Sequence, residues 1–264
     1  MIHRAGADDP RLEAYRHVGD PSWLAQRQLF VAEGRLVVER LLTSGEYELE
    51  SIVVTPPALA ALDAILAAVS CDVYLCEVAV LEGATGFNFH RGCLALARRP
   101  PARATRDLLT AHRLVALEGI GNPDNIGGIF RTAAALGAAG VVLDPTTGDP
   151  LYRKAIRTSM AATLRVPWVR LAAWPDGLDA FREAKFILVA LTPHPSATTL
   201  DEFARTHAAA DRLILMLGGE GPGLSPRALD LADARVRIPV DPVVNSLNVV
   251  VAAGIALERL RRSE

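Results

Sequence analysis

The 264-residue chain reads as an α/β protein of two domains, and three observations predict this. Short apolar strand-like runs alternate with helical patterns along its length, the order that gives a sheet covered by helices. Runs in the C-terminal half, such as Ile187-Leu188-Val189-Ala190-Leu191, are apolar without alternation, as parallel strands buried on both faces are. Between the halves stands Arg98-Arg99-Pro100-Pro101-Ala102-Arg103. Its adjacent prolines resist helix and ladder pairing, and its arginines favour solvent. The expected domains are residues 1–105, linker included, and residues 106–264.

Half of the residues are hydrophobic, ample for a sizeable core. A net charge of −2 gives no global basic field of the kind that coats nucleic acid, and leaves a local basic patch open. There is no run of about 18 apolar residues, so no membrane span is expected. Met1 to Pro10 carries acids and no apolar stretch, unlike a signal peptide. Cys71, Cys76 and Cys93 are odd in number and lack metal-ligand spacing, which predicts reduced core cysteines, no metal site and a cytoplasmic protein.

In the first domain, Ala14 to Arg27 is polar with Arg and His, and predicts an extended or short helical lead-in. Phe30-Val31-Ala32 gives way to Gly34, and Leu36, Val37, Arg40 and Leu41 follow at helical spacing. A strand (49–54), an alanine- and leucine-rich helix (58–69), a strand (72–75), a short helix near Val78 and a last strand (92–97) are expected next. Before that last strand, Phe87, Phe89, His90 and Arg91 interleave aromatic and basic groups. Such a loop suits stacking on unpaired bases and pairing with phosphate. The alternative is two core phenylalanines and a surface histidine.

The second domain opens with a strand (114–117) that runs into Asn122-Pro123-Asp124-Asn125, a turn and helix start. Ile126, Ile129, Phe130, Ala133 and Leu136 form the apolar face of that helix, and Gly140 to Leu143 is the next strand. Gly127 and Gly128 lie inside the helix rather than ahead of it, so the dinucleotide-binding glycine pattern does not fit. Arg131 lies on this helix too, and a lone helical arginine is ordinarily solvated. Tyr152 to Ser159 reads as a helix on which Arg153, Lys154 and Arg157 form a basic face, either solvated or in contact with phosphate.

Strands over 166–171, 186–191 and 213–217 alternate with helices over 178–184 and 226–232. Each of the last two strands ends in loop-forming residues, Thr192-Pro193-His194-Pro195 and Gly218-Gly219-Glu220-Gly221-Pro222-Gly223. Ligands of open α/β sheets sit outside such strand ends, and glycines let backbone approach them closely. A final strand (234–238) stops at Pro239 and enters a loop that Pro242 keeps out of the helical region. Ser246 is the expected N-cap of a last helix, Leu247 to Arg262.

Three stretches, in this order and spacing, resemble the motifs of the SpoU (TrmH-type) branch of the SPOUT RNA methyltransferases. They are Asn122 to Gly127 with Arg131-Thr132, Leu217 to Leu224, and Ile238-Pro239-Val240 with Ser246 to Val249. The resemblance covers about Leu114 to Arg261. More loosely, Phe30 to Gly34 and His90-Arg91-Gly92 are similar to the ribosomal-protein-like RNA-binding domains that precede this catalytic domain in many members.

The resemblance implies a C-terminal SPOUT domain with a mostly parallel sheet and a trefoil knot, preceded by a small α/β RNA-binding domain. It implies a homodimer with active sites at its interface, and S-adenosyl-L-methionine-dependent 2′-O-ribose methylation of rRNA or tRNA. Carried over by position, Gly218, Ile238 and Leu247 line the cofactor pocket, with Leu191 and Val240 nearby. Asn125, Arg131, Glu220, Ser246 and Asn248 form the polar active-site group, and His90, Arg91, Arg153, Lys154 and Arg157 are the expected RNA contacts. Two positions of the cofactor loop depart from many relatives, Val240 for methionine and Pro242 for glycine.

Methyl transfer from a sulfonium needs no metal. It needs a ribose hydroxyl held in line and its alkoxide character favoured. A guanidinium with a pKa above about 12 is a poor base. Arg131 therefore reads as a phosphate clamp that lowers the hydroxyl pKa, with solvent or a phosphate oxygen taking the proton. A base-methylating SPOUT enzyme and a non-catalytic RNA-binding module are the alternatives.

Overall fold

A computed structural model of the chain describes residues 1–86, 92–207, 211–241, 243–244 and 246–261. Met1–Pro101 and Leu151–Leu164 form one unit, and Ala102–Pro150 and Arg165–Glu264 form another. The first crossing falls inside the Arg98–Arg103 stretch. The return of Leu151–Leu164 to the first unit has no sign in the sequence.

In the first unit, β1 (Ile2–Arg4) leads to α1 (Glu13–Arg16), α2 (Pro21–Gln26), β2 (Leu29–Glu33), α3 (Arg35–Ser44) and β3 (Leu49–Val54). Then come α4 (Pro56–Leu66), β4 (Asp72–Leu75), α5 (Val78–Thr85) and β5 (Cys93–Arg98). The sheet order is β1-β4-β3-β5-β2. Its β1, β4 and β3 strands are parallel, and β5 is antiparallel to β3 and β2. Three residues are too few to show periodicity, so β1 is invisible to sequence reading. The polar lead-in holds two short helices. Asp20 caps α2 by accepting the Ser22 and Trp23 N–H groups at 2.9 and 3.0 Å. Tyr15, Val18 and Leu24 from this region pack into one core with Val31, Val53, Leu94 and Leu96. All three cysteines are buried, and burial pushes the Cys76 thiol up to about 11 and the Cys93 thiol up to about 12.

In the second unit, β6 (Arg113–Glu118), α6 (Pro123–Ala135) and β7 (Gly140–Leu143) form the first β-α-β. After α7 (Arg153–Thr158), which belongs to the first unit, come β8 (Trp168–Arg170), α8 (Asp179–Glu183), β9 (Ile187–Leu191), β10 (Thr198–Thr199) and α9 (Leu200–His207). The chain ends with β11 (Leu213–Gly218), α10 (Pro226–Leu231), β12 (Ala234–Arg237) and α11 (Val249–Arg259). The seven strands run β10-β12-β9-β11-β6-β7-β8, and every pairing among them is parallel. Leu114, Ala116, Val142, Leu188, Ala190, Ile214 and Met216 share a core with Phe181 and Phe186, whose rings meet edge to face at 5.6 Å.

Two sequence expectations are corrected here. The last helix begins at Val249, and its N-cap is Asn248 rather than Ser246: the Asn248 Oδ1 accepts the Val250 N–H at 2.9 Å. The basic face of α7 does not project freely. Arg153 Nη1 and Arg157 Nη1 donate to the Glu33 carboxylate at the end of β2, at 2.6 and 3.3 Å, and Lys154 is half-buried. Two further bonds hold this segment inside the first unit, Arg40 to the Met160 carbonyl and Tyr47 Oη to the Leu164 carbonyl at 2.7 Å.

Glu33 is only 5% exposed, so it is the partner whose loss matters. Breaking a buried pair from one side costs about 3–5 kcal/mol, and the partial exposure of both arginines favours the lower figure. Glu33→Ala is expected to lower unfolding free energy by about 3 kcal/mol in a denaturant titration. A loss below about 1 kcal/mol would show a pair as weak as one at the surface.

Candidate active site

The carboxyl ends of β6 and β11 lie side by side, with Gly218 in register with Glu118. From β6 the chain moves on to β7 and β8, and from β11 to β12, on the opposite side. Diverging connections leave a crevice outside these strand ends, where ligands of open α/β sheets bind. A cavity of about 360 Å³ lies on the other side of β11, outside the carboxyl ends of β9 and β11. Its walls are Leu191 to Pro193 after β9, the glycine-rich loop after β11, and Ile238, Val240 and Ser246 to Asn248 after β12, closed by the first turns of α11.

The glycine-rich loop folds back on itself, with the Gly223 N–H donating to the Gly219 carbonyl at 3.1 Å. A Cβ on Gly218 would lie 2.1 Å from the Gly223 carbonyl carbon and 2.2 Å from the Leu224 nitrogen, so no other residue fits this turn. Glu118 holds both ends of the loop. Its backbone carbonyl accepts the Gly219 N–H at 2.8 Å, and its carboxylate accepts the Ser225 N–H at 2.9 Å.

Asn125 stands in the first turn of α6, whose N-cap is Asn122. It is 6% exposed, and both ends of its amide are used. The Nδ2 donates to Glu220 Oε1 at 2.6 Å, and the Oδ1 accepts from Asn248 Nδ2 at 3.1 Å. One chain of hydrogen bonds thus joins the three sequence motifs. Close helix packing supports it, because a Cβ on Gly128 would lie 2.7 Å from Val250 Cγ2. Two glycines inside a helix cost about 1 kcal/mol each in propensity, and at Gly128 the return is contact between α6 and α11.

Behind this group, the β6–α6 loop is clasped to the loop after β7. The Asp144 carboxylate accepts from the Gly119 and Thr147 N–H groups at 3.2 and 2.6 Å and from the Thr146 hydroxyl. Burial works against ionisation of Asp144, but these bonds outweigh it and hold the carboxyl below the usual carboxylate range. Arg170 donates to the carbonyls of Asp144, Thr147 and Gly148 at 2.8, 2.6 and 3.0 Å.

All five expected cofactor residues, Leu191, Gly218, Ile238, Val240 and Leu247, line the cavity, as do Glu220, Ser246 and Asn248. Asn125 joins them through its hydrogen bonds. Arg131 does not line the cavity. Six residues on from Asn125, it is turned by roughly 240° around the helix axis. It is exposed, with no hydrogen-bond or ion-pair partner among the described residues. His90, Arg91 and Pro242 lie outside the described residues. Sequence reading misses Glu118, Asp144 and Arg170. Their signal is shared: each is the charged residue that closes, or directly follows, an apolar parallel strand.

The lining fits S-adenosylmethionine chemically. Leu191, Ile238, Leu247 and Val249 offer apolar surface to an aromatic base, and the turn at Gly218 leaves no side chain beside the backbone. Glu220 is the one ionisable side chain among the described lining residues, and its negative charge favours a sulfonium cation. Among the described residues, no cluster of His, Cys, Asp or Glu could hold a metal ion, and no helix is long and apolar enough to cross a membrane. Saturating S-adenosylhomocysteine, at 100 times its dissociation constant, is expected to add about 2.7 kcal/mol to stability. A thermal scan with no midpoint shift would refute cofactor binding in this cavity.

A parallel α/β domain with an apolar, glycine-bounded cleft outside its strand ends is the arrangement of a small-molecule-binding domain. Residues 112–258 match the signature of the SpoU rRNA methylase family, and the chain belongs to that family. An uncharacterized tRNA/rRNA methyltransferase of Mycobacterium bovis is 41% identical over 97% of this chain and 90% of its own length. The crystal structure of an AdoMet-bound rRNA methyltransferase from Sinorhizobium meliloti superposes with a TM-score of 0.84 at 25% identity, covering 99% of this chain and 98% of that one. A 23S rRNA (adenosine(1067)-2′-O)-methyltransferase of Streptomyces laurentii is 36% identical over 63% of this chain and 61% of its own length.

Proposed function

We propose that the chain is an S-adenosyl-L-methionine-dependent 2′-O-ribose methyltransferase of rRNA or tRNA. The observation that carries this reading is the hydrogen-bonded group Glu220–Asn125–Asn248 beside an apolar cavity at which Glu220 is the only ionisable lining residue among the described residues. When bound, S-adenosylmethionine supplies an activated methyl group on a sulfonium. Leu191, Gly218, Ile238, Val240 and Leu247 bind and orient it, largely through backbone and apolar contact. Asn125 holds Glu220 in one orientation, Asn248 holds Asn125, and Ser246 offers a hydroxyl at the same rim.

Arg131 supports a dimeric reading. It faces away from Asn125 and has no partner among the described residues, so in an isologous homodimer through α6 and α11 it is supplied to the site of the other copy. The exposed Val251 and Ile255 on α11 support the same face. There its planar fork grips the phosphate beside the reacting ribose. The C-terminal segment is knotted, the first unit is a ribosomal-protein-like RNA-binding domain, and the enzyme works in the cytoplasm. His90, Arg91, Arg153, Lys154 and Arg157 contribute to RNA binding.

The test is incubation with isotope-labelled S-adenosylmethionine and unmodified rRNA and tRNA transcripts, followed by digestion to nucleosides. Label in 2′-O-methylnucleosides is the expected result. Label on a base would replace the ribose reading with base methylation, and S-adenosylhomocysteine binding without any transfer would leave an RNA-binding module.

A further inference from the structure

We propose that Glu220 is the proton acceptor for the ribose hydroxyl, an inference that rests on the ribose-methylation reading. The site needs an acceptor, because removal of the O2′ proton must accompany formation of the O2′–CH3 bond. A guanidinium cannot take that proton near neutral pH. Ser246, Asn125 and Asn248 are neutral, and both ends of each asparagine amide have their place in the hydrogen-bond chain. Solvent or an RNA phosphate oxygen, the acceptors expected from the sequence, would need no protein base; among the described residues that line the cavity, one basic group remains.

The two oxygens of Glu220 have different circumstances. Oε1 accepts the Asn125 Nδ2 at 2.6 Å, which fixes the carboxylate plane. Oε2 has no hydrogen-bond partner among the described residues, and Glu220 is exposed on a loop that borders the cavity. Geometry is the first requirement of a general base, and a pinned carboxylate with one unspent oxygen at the cofactor cavity meets it.

The other charged groups on the elements that meet here are already engaged or differently placed. Glu118 on β6 holds the Ser225 N–H, and Asp241 after β12 holds the Val243 N–H. Asp124 lies in the first turn of α6, and Arg131 is turned away along the same helix. On α11 no charged residue precedes Glu258.

The step balances without an added oxidant or reductant. The O2′–H bond breaks and its proton goes to Glu220 Oε2. O2′ bonds the methyl carbon as that carbon's bond to the sulfonium breaks, and the bonding pair returns to sulfur as a neutral thioether. Glu220 then releases the proton to solvent.

The experiment compares wild type, Glu220→Gln and Glu220→Ala in single-turnover transfer to the transcript mixture, beside S-adenosylhomocysteine affinity by calorimetry. General bases contribute about 10²–10⁴-fold, so Glu220→Gln is expected to fall by at least about 100-fold, with affinity within about threefold of wild type. Formate at about 0.1 M is expected to raise the Glu220→Ala rate at least about tenfold by entering the vacated position, a rescue that a merely structural role would not show. A Glu220→Gln rate above about a tenth of wild type, no rescue by formate, or loss of ligand binding in both variants would each overturn the assignment. Base methylation by wild type would overturn the ribose reading and this inference with it; ribose methylation by an active Glu220→Gln would overturn this inference alone.

Discussion

Gly218→Ala is expected to abolish S-adenosylmethionine binding and to lower the stability of the second unit by at least about 3 kcal/mol. Overpacking against movable side chains costs about 1–3 kcal/mol. Here the added methyl would meet backbone at 2.1 and 2.2 Å, so the Gly218–Leu224 turn must open to admit it. That turn carries Glu220 and forms one wall of the cavity, and both ligand contact and stability depend on its closure. Gly121→Ala is the control, since a Cβ there meets nothing within 4 Å. Calorimetric titration and denaturation of the two variants decide the matter. Wild-type affinity in Gly218→Ala would mean that the loop rearranges freely and does not shape the site.

The second large effect concerns Arg131. Arg131→Lys keeps the charge but loses the planar fork, and is expected to lower the single-turnover rate by more than about tenfold, or roughly 1.4 kcal/mol. Arg131→Ala should fall further, with cofactor affinity little changed in either. If the arginine serves the other copy's site, inactive Arg131→Ala and Glu220→Gln proteins should complement each other when mixed. Half of randomly reassorted dimers are mixed, and each mixed dimer has one intact site, so about a quarter of wild-type activity should return. No recovery after verified subunit exchange would place Arg131 in its own protomer's site. A near-wild-type Arg131→Lys rate would remove the clamp.

Much of this was legible in the residues because it depends on local signals. Apolar runs without alternation became the parallel strands β9 and β11, and the Asn122-Pro123 start of α6 came out where capping chemistry puts it. The cavity residues Gly218, Ile238 and Leu247 came from motif resemblance, and the structure places them on one surface. What stayed hidden was non-local. The choice of Asn248 over Ser246 as cap depends on how an extended loop arrives, since both residue types cap well. The pairing of Arg153 and Arg157 with Glu33 spans some 120 residues, and no spacing rule reports it. The loop partners of Glu118, Asp144 and Arg170 depend on which strand lies next to which, and this emerges only from the sheet order.

The excursion of Leu151–Leu164 into the first unit has a consequence for modularity. Because the chain changes unit three times, no single cut yields two whole pieces. A fragment ending at Pro101 would lack α7 and leave Glu33 facing an uncovered strand edge, while the complementary fragment would carry a basic arc with no seat. Exchange of the first unit between relatives, whether by recombination or by chimera, must therefore carry two sequence blocks together.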